Sequence, residues 1–275
     1  MLVITFCGLL AFMAAAILRW LRAGRTSVDL VLPSTFLLAY WLTYNKIPSF
    51  PPVGAVNKIF YLAATGTILG LLIETVGARA LTGWLVIFLP AASAAYIGET
   101  RLMAGPLELI VAALAGALVL HLLSRQMSSP QPEADAKSAV MLGVASAAFA
   151  PIAFLGASSS SLQLCLGFAA AISGILVWHL FKSYYAFASA SLFGGAYGMV
   201  VVAQTVTLIT RKVDLLALTV LGLVFLVPLA DSWVLDRLPH QGHRARTVAF
   251  AGLCFVPAIV AVAIAYVRYS ASLPA

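Results

Sequence analysis

Two carboxylates stand where carboxylates are costly. Glu74 and Asp231 each fall in the last turns of a long apolar run. An ionisable side chain held in hydrocarbon is kept for pairing, ion binding or proton transfer. Arg19, His121 and His179 occupy equivalent places, but position alone accounts for them. A helix end reaches the headgroups, long side chains extend to water, and the negative end of the helix dipole favours cations. The same dipole disfavours an anion, so the account fails for Glu74 and Asp231. Asp231 also has Trp233, Val234 and Leu235 beyond it. The chemistry expected is a proton or cation bound by Glu74 and Asp231 in a shared interior cavity, or a pairing with His or Arg there.

His121 and His179 raise the question of haem, since two axial histidines on neighbouring helices hold haem iron. Two histidines are a small sample and no paired pattern recurs near the other membrane face, so no cofactor is predicted. Cys7, Cys165 and Cys254 are isolated inside apolar runs and read as small core residues. No phosphate-binding loop, dinucleotide glycine pattern, zinc motif, nucleophile triad or metal-binding acidic pair is visible. An ATP-driven motor and a hydrolase with known motifs are therefore poorly supported.

Gln204, beside Thr205 and Thr207, is a polar group that either bridges helices or lines a pathway. Pro33, Pro90, Pro151, Pro228 and Pro257 each free a backbone carbonyl inside a run. Broken helices line transporter sites, and Pro90 and Pro228 mark the expected entry between two halves. The segment 45–57 is the most distinctive loop. Pro48, Pro51 and Pro52 forbid a regular helix there, while Phe50 and its apolar neighbours suit a membrane surface. With Lys46 it forms a candidate lid, or a docking surface for other membrane subunits.

These residues must be positioned by elements that the composition defines. The chain has 275 residues, 63% apolar and 9% charged, against about 25% charged in soluble domains. A soluble domain so poor in charge would expose large apolar patches. In a lipid bilayer the same composition is stable. The net charge of +7 sits at the ends of apolar runs, where topology and anionic headgroups account for it, and nucleic acid is not an expected partner.

A helical crossing takes about 20 apolar residues. Runs are expected at Leu2–Trp20, Val28–Tyr44, Lys58–Val76, Leu81–Ile97, Leu107–Leu123, Ser138–Leu155, Leu162–Phe181, Phe187–Ile209, Leu215–Leu235 and Thr247–Val267. The fourth and fifth are short enough to merge, tilt or re-enter. The runs are longer and more uniformly apolar than barrel strands, so the fold class is all-α, a polytopic bundle of about ten spans. Lysine and arginine counts favour both termini outside a membrane of bacterial inner-membrane type, with the Arg19, Arg22 and Arg25 cluster inside.

Division at the polar stretch gives a first half of five spans (1–123), a cytoplasmic linker (124–137) and a second half (138–275). An odd number per half inverts the second relative to the first, as in many transporters. Gly66-x-x-x-Gly70 in the third span matches Gly194-x-x-x-Gly198 in the eighth, although such pairs are general packing devices. The functions expected are a transporter of a small molecule or ion first, an accessory or assembly subunit of a membrane complex second, and an enzyme acting on lipid, quinone or haem third.

Overall fold

In hydrocarbon every backbone amide must find its acceptor within the protein, which restricts apolar spans to helices or closed barrels. The structure is a computed structural model that describes residues 2–46, 48–52, 54–99, 105–129, 134–181, 186–230 and 243–272. It is a helical bundle, with no strand among the described residues. The helices are α1 (Leu2–Trp20), α2 (Arg25–Asp29), α3 (Val31–Tyr44), α4 (Ala55–Val76), α5 (Arg79–Ile97), α6 (Pro106–Met127), α7 (Ala134–Leu155), α8 (Ser159–Phe181), α9 (Ser191–Thr210), α10 (Leu215–Ala230) and α11 (His243–Ala271).

The expected count of ten spans needs correction. Eight of these helices are long and apolar enough to cross a bilayer, among the described residues. The second expected span is divided at Leu30 into the short α2 and the 14-residue α3. The ninth, α10, is a shorter apolar helix, and the rest of its expected length lies outside the described residues. The fourth and fifth spans neither merge nor re-enter, because α5 and α6 are separate helices of 19 and 22 residues. Helical structure also runs beyond the apolar windows into the polar stretch, to Met127 and from Ala134.

Local chemistry explains several of the ends. Asn45 (φ 46°) closes α3 and Gly77 (φ 74°) closes α4, both left-handed, the conformation that Gly and Asn tolerate best. Asp214 starts α10 by accepting from the amides of Leu216 and Ala217. Within α10, Pro228 cannot donate to the carbonyl four residues earlier, and the preceding turn, Leu223–Leu226, tightens to a 3-10 helix.

The bundle is built round α9. Of its apolar window 83% is buried, with α7 next at 72%, against 17–28% for α1, α4, α5, α6 and α11. Trp84 and Phe88 of α5, Leu114 of α6 and Val256 of α11 face outward. Around the centre, α3, α4, α5 and α6 pack on α9, while α1, α7, α8 and α11 extend the bundle laterally. Helices from early and late in the chain interleave: α1 and α3 pack along α8. Trp178 of α8 donates to the Phe12 carbonyl (3.0 Å) and lies under the Arg19 guanidinium.

The two glycine pairs form neighbouring joints. A Cβ on Gly66 would enter the Phe193 carbonyl, and one on Gly70 the Ser189 carbonyl, so α4 lies directly against the α9 backbone. Gly194 in turn faces Thr67 of α4 and Pro33 of α3, and Gly198 faces the Phe36 ring. Close backbone approach is what small residues provide in lipid, where no hydrophobic force pulls helices together.

Polar contacts agree with an alternating path. Lys58 meets Glu99 (3.1 Å), Arg211 meets Glu108 (2.7 Å) and Arg268 meets Asp214 (3.3 Å), all at the end that carries the proline loop. Arg25 meets Asp135 (3.7 Å) at the opposite end. Each pair joins two helix ends that successive crossings put on one side.

Gly66→Val forces the α4–α9 joint apart and is expected to cost about 1–3 kcal/mol or more, read as a lower melting temperature in detergent. Gly222→Ala and Gly252→Ala, where a Cβ meets nothing within 4 Å, leave it unchanged or slightly raised.

Candidate functional site

The start of α9 lies inside the protein, and its amides need acceptors. Asp29, at the end of α2 and 0% exposed, supplies them. Its Oδ1 accepts from the amides of Ala188 (2.7 Å) and Ser191 (3.1 Å), and its Oδ2 from that of Ala190 (2.8 Å). A carboxylate also suits the positive end of the α9 dipole. The contact is reciprocal. Pro33 has no N–H to give the Asp29 carbonyl, and the Ser191 hydroxyl donates to that carbonyl instead (2.9 Å).

Three further charged groups gather here. Glu74, in the last turns of α4, lies within electrostatic reach of Asp29. Its Oε1 accepts from the Thr26 hydroxyl (2.9 Å), while its Oε2 is buried without a hydrogen-bond partner among the described residues. Asp135, at the start of α7, accepts from the Phe187 amide and pairs with the exposed Arg25. The approach to α9 is thus held by carboxylates from both halves of the chain, Asp29 and Asp135, with Glu74 alongside.

The structure brings together only part of the expected set. Glu74 is in the cluster, and Asp231 lies outside the described residues. His179 is buried, beside a small cavity lined by Ala15, Leu18, Val28, Val31, Ile175 and Trp178. His121 is exposed on α6 and is not among those lining residues, so no common site for the two histidines is formed there. Among the described residues no group of three or more His, Cys, Asp or Glu side chains is placed to hold a metal ion.

Gln204 and Pro90 meet at a second buried polar centre. The Gln204 amide donates to the carbonyls of Pro90 (3.0 Å) and Ala112 (3.3 Å), and its Oε1 accepts from the Ser93 hydroxyl (2.6 Å). The Tyr197 hydroxyl adds a bond to the Leu89 carbonyl (3.2 Å). This centre ties α5 and α6 to α9. Pro228 is half-buried in α10.

The described residues of the 45–57 segment are irregular up to Gly54, and α4 begins at Ala55. Pro48 is buried and its carbonyl accepts from the Tyr61 hydroxyl (3.0 Å); Asn57 donates to Ser49 (2.9 Å). Lys46 and Pro51 are exposed, Pro52 is half-buried, and Phe50 is 84% exposed beside the Tyr61 ring. No family model matches the chain, and no curated protein or solved structure matches it either.

Asp29 was not singled out in the sequence, although two signals mark it. It stands in an apolar run, Val28-Asp29-Leu30, and four residues before a proline. Asp29→Ala strips acceptors from three amides and is expected to destabilise by about 3 kcal/mol or more. Asp29→Asn, which keeps one acceptor oxygen, costs about half as much. Thermal unfolding of the purified variants checks both.

Proposed function

We propose that the chain is an integral membrane transporter for a small molecule or ion, in which Asp29 and Glu74 handle a coupling proton or cation. The observation that carries this reading is the pair itself. Two carboxylates lie within electrostatic reach inside the bundle, and one Glu74 oxygen is buried without a partner among the described residues. Carboxylates that feel each other's charge repel when both are ionised, and a proton or small cation bound by the pair relieves the repulsion. Arg25 is paired with Asp135. Because Asp29 holds the start of the most buried helix, occupation of the pair is linked to the seating of α9. Two π-turns, Ser191–Ala196 and Val206–Thr210, place adjustable hydrogen bonding at both ends of that helix.

The orientation proposed is termini outside and the Asp29 cluster facing the cytoplasm of a bacterial-type inner membrane, with 1–123 and 138–275 as inverted halves. A second reading, an accessory subunit of a larger membrane complex, draws on the exposed Phe50 held on an anchored proline loop.

Proteoliposomes are the direct test. The wild-type protein should move protons or alkali cations with at least one solute from a panel of labelled small molecules. Asp29→Asn and Glu74→Gln should lower the initial rate about tenfold or more while still eluting as single species. Wild-type vesicles no more permeable than empty ones, together with fixed partners co-purifying at constant stoichiometry, would transfer support to the accessory reading. For orientation, Ser128→Cys should label with impermeant maleimide only from the cytoplasm, and Ser272→Cys only from outside. The native cysteines are all buried.

A further inference from the structure

The opposite end of the bundle carries paired cations and carboxylates, Arg211 with Glu108 and Arg268 with Asp214. Where α9 gives way to α10, a groove of 480 Å³ opens between the ends of α7, α10 and α11. Its polar rim holds Arg211, Lys212, Arg268 and Asp214, with Tyr269 and Ser272 beside them. Its floor is apolar, from Ile152 and Leu155 of α7 and Ala265 of α11.

The geometry points to a phospholipid-binding site, with the lipid's phosphodiester on the cationic rim and an acyl chain along the exposed Leu215 and Leu216 at the groove's apolar edge. Three features carry this. The first is charge. Arg211 spends its Nη2 on both Glu108 oxygens (2.9 and 2.7 Å), and Arg268 directs its Nε to Asp214 (3.3 Å). Lys212 is exposed and has no ion-pair partner among the described residues. Among the described residues, three cations against two carboxylates leave one positive charge, and a phosphodiester brings one negative charge. The second is donor supply. Both guanidiniums keep N–H groups beyond those spent on their carboxylates, and guanidinium and ammonium groups together suit a phosphate.

The third is the position of the apolar lining. Ala265, about one helical turn below Arg268, and Ile152 are buried and close the base of the groove. Leu215 and Leu216, 65% and 43% exposed, stand at the groove. Exposed leucines beside a cationic rim fit a ligand that is itself part polar and part hydrocarbon. Basic pockets between membrane helices hold anionic headgroups in this way. The site is independent of whether the bundle transports or assembles.

Native mass spectrometry of the full chain in mild detergent, titrated with phosphatidylglycerol, tests the assignment. One lipid should be retained per chain, with phosphatidylcholine held more weakly. Lys212→Glu should weaken retention about tenfold or more, and Lys212→Arg should restore it. The side chain is exposed, so the fold should survive both changes, and Lys212→Gln serves if the reversal aggregates. Retention unchanged in Lys212→Glu and Lys212→Gln would overturn the site. Displacement of the lipid by glycerol 3-phosphate at comparable concentration would overturn the lipid assignment in favour of a free phosphorylated solute.

Discussion

A helix that starts inside a membrane bundle leaves amides that neither water nor lipid can satisfy. That constraint governs the start of α9. Asp29 meets it with one side chain and three amides, and α3, α4, α5 and α6 then pack against the helix so anchored. Glycines bring the α4 backbone into contact, and Gln204 closes the far side by bonding α5 and α6. The capping carboxylate, the glycine joint and the glutamine bridge all act on one helix.

The two ends of α9 are matched to its dipole. Carboxylates approach its N-terminus, and Arg211 and Lys212 follow directly after Thr210 at its C-terminus. Each end thereby places charge where the peptide dipoles favour it. The same arrangement separates an acidic cluster at one end of the bundle from a cationic groove at the other.

Fold class was legible because composition and run length depend only on the solvent, and hydrocarbon admits few solutions. The second expected span differs for a local reason: an apolar run records hydropathy, and a break at Leu30 leaves hydropathy unchanged. Glu74 was legible because a carboxylate at a helix C-terminus contradicts the dipole. Asp29 was not, because at the head of a run it resembles an ordinary helix-start acid. Its acceptor role is set by amides about 160 residues away, which no local pattern records. The glycine spacing in α4 and α9 was visible, yet the same pattern suits both internal symmetry and direct contact, and which backbone lies against Gly66 is decided by tertiary packing.

The reciprocal bond between Asp29 and Ser191 also bears on biogenesis. The chain is made from its N-terminus, so α2 and α3 leave the ribosome long before α9. Until then the Asp29 carboxylate lacks its amides, and its carbonyl, denied a donor by Pro33, lacks the Ser191 hydroxyl. An early segment carrying two unmet acceptors is poorly suited to partition alone into lipid. Its stable insertion is therefore tied to the arrival of a helix from the second half, so that the first half is held near the insertion machinery, or shielded by water, until the later helix docks.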